Sequence, residues 1–95
     1  MLFPLDGPAV YKSITVTDTP QEVKVNAVVL DERKIITLQP LGGTVYYGYD
    51  NTVSASTGTK VFKGQWLHLE ASSSLPVWVV AAPGDSVDTR ITEVS

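Results

Sequence analysis

The sequence predicts an all-β, single-domain antiparallel β-sandwich, jelly-roll-like, of about seven to eight short strands behind an extended N-terminal arm. Three observations predict it. Short apolar or β-branched runs alternate with loops rich in Gly, Ser, Thr and Asn, above all from residue 34 to 71. No window keeps a helical period. Turn signals recur at the close, regular spacing that suits a two-layer β fold rather than an open sheet. With 95 residues and no internal repeat or linker, one domain at 9–95 is expected, preceded by an arm at 1–8.

Pro4, Gly7 and Pro8 keep the arm from forming a regular helix or a full ladder, and Leu2, Phe3 and Leu5 give it an apolar character. Such an arm tucks onto its own core or docks on a neighbour. The run AVYKSITVT from Ala9 to Thr17 has the period of two of a half-buried strand, with Ile14 and Val16 on one side and Ser13, Thr15 and Thr17 on the other. Asp18-Thr19-Pro20 turns the chain. QEVKVNAVVL, from Gln21 to Leu30, starts as a strand; its end, Ala27 to Leu30, is continuously apolar and is either buried on both sides or crosses between sheets. A short helix over Glu22 to Leu30 is the alternative, opposed by its β-branched content. Asp31-Glu32-Arg33 reads as a polar turn.

Lys34 to Gln39 is the next strand, with Ile36 and Leu38 opposite Ile35 and Thr37. Pro40-Leu41-Gly42-Gly43 reads as a hairpin connection to TVYYGY, where Val45, Tyr47 and Tyr49 oppose Tyr46 and Gly48. Gly48 leaves a gap that a bulge or another backbone can enter. A polar loop from Asp50 to Thr59, with a short edge strand through Val53, leads to extended chain at Lys60 to Phe62 and a turn at Lys63-Gly64. QWLHLE then alternates cleanly, Leu67 and Leu69 inward and Trp66, His68 and Glu70 outward. After the Ser72 to Ser74 turn, PVWVVAA is apolar enough for a central strand covered on both faces, with Trp78 in the core. Pro83-Gly84-Asp85 is the strongest turn signal, and Val87 to Val94 closes the fold with Val87, Thr89 and Ile91 opposite Asp88, Arg90 and Thr92.

Composition narrows the function. Net charge is −3, and the seven Lys and Arg residues are scattered, so no basic stripe is present to bind a nucleic-acid backbone. No cysteine is present, which removes disulfides, thiolate zinc sites and thiol catalysis. No apolar run approaches the ~20 residues of a membrane-spanning helix, and no signal-peptide pattern is visible, so the expectation is a protein made in the cytoplasm with no membrane partner. Only 18% of residues are charged, and a low-charge β surface favours assembly with other chains.

Few residues point to chemistry. His68 is the sole histidine, and the serines lie in plain loops without a nucleophile elbow, so a sheet-surface histidine is the better reading than a catalytic one. Asp31-Glu32 and Asp85 with Asp88 pair carboxylates, but too few for a calcium site, and ten acids supply some pair for any glycosidase scheme. No phosphate loop or dinucleotide fingerprint occurs. No enzyme, cofactor or metal is therefore expected. The aromatics Trp66, Trp78, Tyr46, Tyr47, Tyr49 and Phe62 all fall on expected strands between residues 46 and 78. Outward ones can stack on sugars or anchor a protein interface, and the expected contact residues are Leu2, Phe3, Leu5, Tyr46, Trp66 and His68.

An extended entry ending in ITVTDTPQEV is followed by KIITLQPLGGTVYYGYDNTVSASTGTKVFKGQWLHLE and a closing VWVVAAPGDSVDTRITEVS. Across residues 11 to 95 this resembles the small β-sandwich virion proteins of tailed bacteriophages, the capsid decoration and head-associated proteins. The resemblance implies a many-copy, non-enzymatic building block of the virion. It would bind the major capsid protein or a neighbouring head protein, stabilise the particle, and form a dimer or trimer of itself. It implies no catalytic residues. The competing expectation is a carbohydrate- or receptor-binding module that uses the surface aromatics.

Overall fold

A computed structural model describes residues 7–95. Eight strands form: β1 (Ala9–Val16), β2 (Gln21–Glu22), β3 (Ile35–Pro40), β4 (Val45–Gly48), β5 (Thr59–Val61), β6 (Leu67–Leu69), β7 (Trp78–Ala81) and β8 (Val87–Val94). No helix occurs among the described residues. One four-stranded sheet runs β1-β8-β3-β6 and the other β2-β7-β4-β5, with every pairing antiparallel. That strand order, with the first strand beside the last and successive strands shared between two sheets, is the jelly roll.

Period-two patterning builds the core. Ile14 and Val16 from β1, Ile36 and Leu38 from β3, and Val87 and Ile91 from β8 meet Val45, Val61, Val79 and Ala81 of the facing sheet. Tyr47, Leu67 and Leu69 close its flanks. The inward assignments for these strands agree with the alternation. Two turns take the form that Pro or Lys followed by Gly dictates. At Ala82-Pro83-Gly84-Asp85 the Asp85 N–H donates to the Ala82 carbonyl at 3.0 Å, with Gly84 at φ +85°. At Phe62-Lys63-Gly64-Gln65 the Gln65 N–H donates to Phe62 at 2.9 Å, with Gly64 at φ +80°. Positive φ at the third residue is the type II requirement that glycine meets without strain.

Four expectations need correction. The strand from Gln21 shrinks to β2, and Ala27 and Val28 are exposed, Val28 to 76%. Of the two readings of that apolar run, crossing between sheets is the one realised. No helix forms there. Pro40–Gly43 is no hairpin: β3 and β4 lie in different sheets, so the segment crosses between layers, held by Leu41 N–H to the Asp88 carbonyl at 2.7 Å. Only β4 and β5 pair with their sequence neighbour, through the loop at 49–58. Val53 forms no edge strand but is buried, its methyl against Gly48 and Gly58, where an added Cβ would come within 2.9 and 2.8 Å. The gap at Gly48 is thus filled by a side chain from its own loop, not by a bulge. Trp78 stays out of the core: Val77, Val79 and Ala81 face inward, which turns the half-buried Trp78 to the outer side of the second sheet, opposite Gly48. Val80 on that side is buried, so PVWVVAA is covered on both faces only in part.

A buried ion pair, unforeseen from the sequence, ties the sheets' connections together. Arg33 Nη1 lies 3.1 Å from Glu93 Oε2, both side chains fully enclosed. Arg33 also donates to the carbonyls of Ala71 at 3.1 Å, Ser72 at 2.8 Å and Leu75 at 2.7 Å. Glu93 accepts the N–H groups of Val25 at 2.7 Å and Leu30 at 3.2 Å. The β2–β3 connection therefore needs no ladder, because a carboxylate from β8 holds its backbone. Among the described residues no buried side-chain polar atom lacks a partner.

Candidate functional site

The face of the first sheet that points away from the core is built by the odd-numbered positions of β1 and β3 and the even-numbered ones of β8 and β6. Their register sets Tyr11, Thr92, Thr37 and His68 in one row across all four strands. Ser13, Arg90 and Gln39 form the row beside it. In the first row threonine hydroxyls thus occupy the middle and aromatic rings the two margins. Tyr11 is 80% exposed at the β1 margin. Trp66, 61% exposed, stacks on His68 at the β6 margin, with ring centroids 5.4 Å apart and planes 11° from parallel. Arg90 is partnered by Asp88 at 3.3 Å, so the row carries a neutralised charge pair. A shallow groove of about 310 Å3 runs along Tyr11, Lys12, Ser13, Arg90, Ile91 and Thr92.

The expected contact residues separate. Trp66 and His68 come together on this face. Tyr46 lies on the other sheet, half-buried between Lys60 and Val80 in register and against Gly58 of the covering loop. Leu2, Phe3 and Leu5 lie outside the described residues, where only the root of the arm is seen: Gly7 N–H donates to the Ser95 carbonyl, and Ser95 N–H to Pro8, both at 3.1 Å. Tyr11 escaped sequence reasoning. The signal was present, because the alternation that sent Ser13 and Thr15 outward sends Tyr11 with them.

On the second sheet, Tyr47 and Tyr49 meet edge to face at 6.1 Å. Burial pushes the Tyr47 hydroxyl pKa up, and the neighbouring Tyr49 adds to the rise. The 49–58 loop is braced internally. The Thr52 hydroxyl donates to Asp50 Oδ1 at 2.5 Å and its N–H at 3.0 Å, and these bonds, the hydroxyl's foremost, hold the Asp50 carboxyl below its usual range. Lys60 sits 5.2 Å from the centre of the exposed Phe62 ring. Among the described residues no group of three or more His, Cys, Asp or Glu gathers to hold a metal ion, and no helix is long and apolar enough to cross a membrane. Asp85 and Asp88 are both exposed, with Asp88 turned to Arg90.

No protein-family model matches this chain, and no curated protein matches it.

Proposed function

We propose that the chain is a non-enzymatic structural protein of a tailed-phage particle, a capsid decoration or head-associated protein that docks on a neighbouring head or major capsid protein and stabilises the particle. The observation that supports it best is the outer face of the first sheet: hydroxyl-rich, with its one charge pair neutralised and Tyr11 and the Trp66–His68 stack at its margins. Aromatic anchors around a surface of low charge are what protein interfaces enrich. The jelly roll is also shared by viral capsid domains, which is support by analogy of fold only. Trp66 and His68 act as contact residues, joined by the arm residues Leu2, Phe3 and Leu5.

Co-sedimentation with capsids tests the reading. Trp66→Ala should weaken binding by about 2 kcal/mol, as loss of an anchor does, while far-UV circular dichroism stays that of the parent. Deleting residues 1 to 7 should also weaken it. Undiminished binding by Trp66→Ala would exclude this face as the docking surface.

The same exposed rings support a second reading, a carbohydrate- or receptor-binding module, since jelly rolls also serve as lectins. A glycan that stacks on the exposed Trp66 would shift Trp emission, and Trp66→Ala would abolish the shift. A flat fluorescence titration across a glycan library leaves the structural reading in place.

A further inference from the structure

Of the four strands at sheet edges, three are short: β2 has 2 residues and β5 and β6 have 3 each, whereas β1 has 8. Short edges are how sheet proteins avoid pairing with other chains, and a long, regular one is a template for it. The hydrogen bonds of β8 tell which groups of β1 are offered. Ser95 N–H bonds Pro8 on the β1 side, whereas the Val94 carbonyl takes Lys34 N–H on the β3 side. Alternation along β8 then directs the backbone of Val10, Lys12, Ile14 and Val16 to β8 and turns that of Ala9, Tyr11, Ser13 and Thr15 outward. No strand covers that side among the described residues. The first half of β1 is also thinly covered from the other layer: Lys12 is exposed although it shares the face of Ile14.

We infer that this edge pairs with a second copy of the chain, β1 against β1, making one continuous eight-stranded sheet across a two-fold axis at Ser13. A second copy is favoured over other edges by length, because only another β1 offers a strand as long with a free side. The register follows from physical constraints. Antiparallel partners share a face, so odd positions meet odd ones. An axis at Lys12 would set two ammonium groups opposite each other. An axis at Tyr11 would pair only residues 9–13 of the two strands. An axis at Ser13 pairs residues 10–16 of both copies, Tyr11 with Thr15 and Lys12 with Ile14, and closes as an isologous dimer. The inference does not rest on the virion reading.

Sedimentation equilibrium of the full chain should give twice the 10.2 kDa mass at high concentration, with concentration-dependent protection of the Tyr11, Ser13 and Thr15 amides from hydrogen exchange. Ser13→Pro removes an N–H that β8 does not use and should raise the dimer Kd by about thirtyfold or more, the weight of two lost bonds across the axis. Ser13→Lys and Ser13→Glu should each be monomeric alone and should form a heterodimer when mixed. That rescue reads the register even if the proline variant folds poorly. A mass of one chain up to about 1 mM, a trimer, or no rescue on mixing overturns the inference. So does protection of the edge amides only on adding capsids, which would assign the edge to a foreign strand.

Discussion

Arg33 shows how much one side chain can hold. Its guanidinium joins Glu93 to three carbonyls of the segment before β7, with both charged side chains themselves enclosed. Such a pair stabilises little against an apolar substitute, but breaking one half leaves a charge and several carbonyls without partners. Arg33→Met should therefore cost about 3–5 kcal/mol in urea unfolding, a large share of the ~5–14 kcal/mol that holds a domain of this size. A loss below about 1 kcal/mol would mean that the pair is not closed off from solvent. Neighbouring Glu32 sits at φ 54°, in the left-handed region. Glu32→Gly should relieve about 1 kcal/mol of strain, partly offset by chain entropy, and raise Tm by a few degrees; a fall in Tm would contradict it. Asp50 carries the pH dependence that the loop allows. Its folded pKa lies below the ordinary value, so its stabilising contribution is present above that value and lost as pH falls through the folded one. In an NMR titration Thr52→Val should move the Asp50 midpoint upward, toward ordinary aspartate.

At the scale of elements, the Gly48–Val53–Gly58 contact fastens the β4–β5 hairpin, the only sequential one among the described residues. Gly48→Ala would place a methyl within 2.9 Å of Val53 and 3.1 Å of its Cβ. The overpacking should cost about 1–3 kcal/mol and change the emission of Trp78, which lies across from Gly48. An unaltered urea midpoint would show that the loop yields freely. Which parts were legible follows from the same local logic. Alternation separated the two faces of β1, β3, β4, β6 and β8, and named the inward one for β6, because a period of two is imposed by the pleat itself. It also set Trp66 beside His68. It could not tell that Pro40–Gly43 changes sheets, since prolines and glycines mark a turn without saying which layer receives the chain. QEVKVN looked like a strand by composition, yet its backbone is held by the Glu93 carboxylate, a partner 68 residues away from Val25. Arg33 read as part of a surface turn for the same reason: its enclosure depends on residues 71–75 and 93, which no local window contains. Tyr46 looked as outward as Trp66, and only the fold of the 49–58 loop distinguishes them.

Taken whole, the molecule is a closure of distant segments. Apart from β4 with β5, every ladder joins strands that are not successive in sequence. Loop entropy must be spent before such contacts form, so refolding from urea should take milliseconds to seconds rather than microseconds. A stopped-flow experiment that finds the reaction complete within its dead time would contradict this. The two outer faces also differ in kind. The second sheet is partly roofed by its own loop, whose Val53 lies against Gly48, whereas the first presents its rows of hydroxyls and rings to solvent. Partners are expected at the first.

The placement of β8 bears on how the protein is made. It is the last of the eight strands to leave the ribosome, yet it lies between β1 and β3 and carries the carboxylate that Arg33 requires. A nascent chain halted before Val87 holds β1 without any ladder partner and an arginine destined for the interior without its counter-ion. The first sheet consequently cannot assemble vectorially, strand by strand, as synthesis proceeds. β1 must wait unpaired until Val87–Val94 enters the middle of a sheet whose other members were synthesised long before.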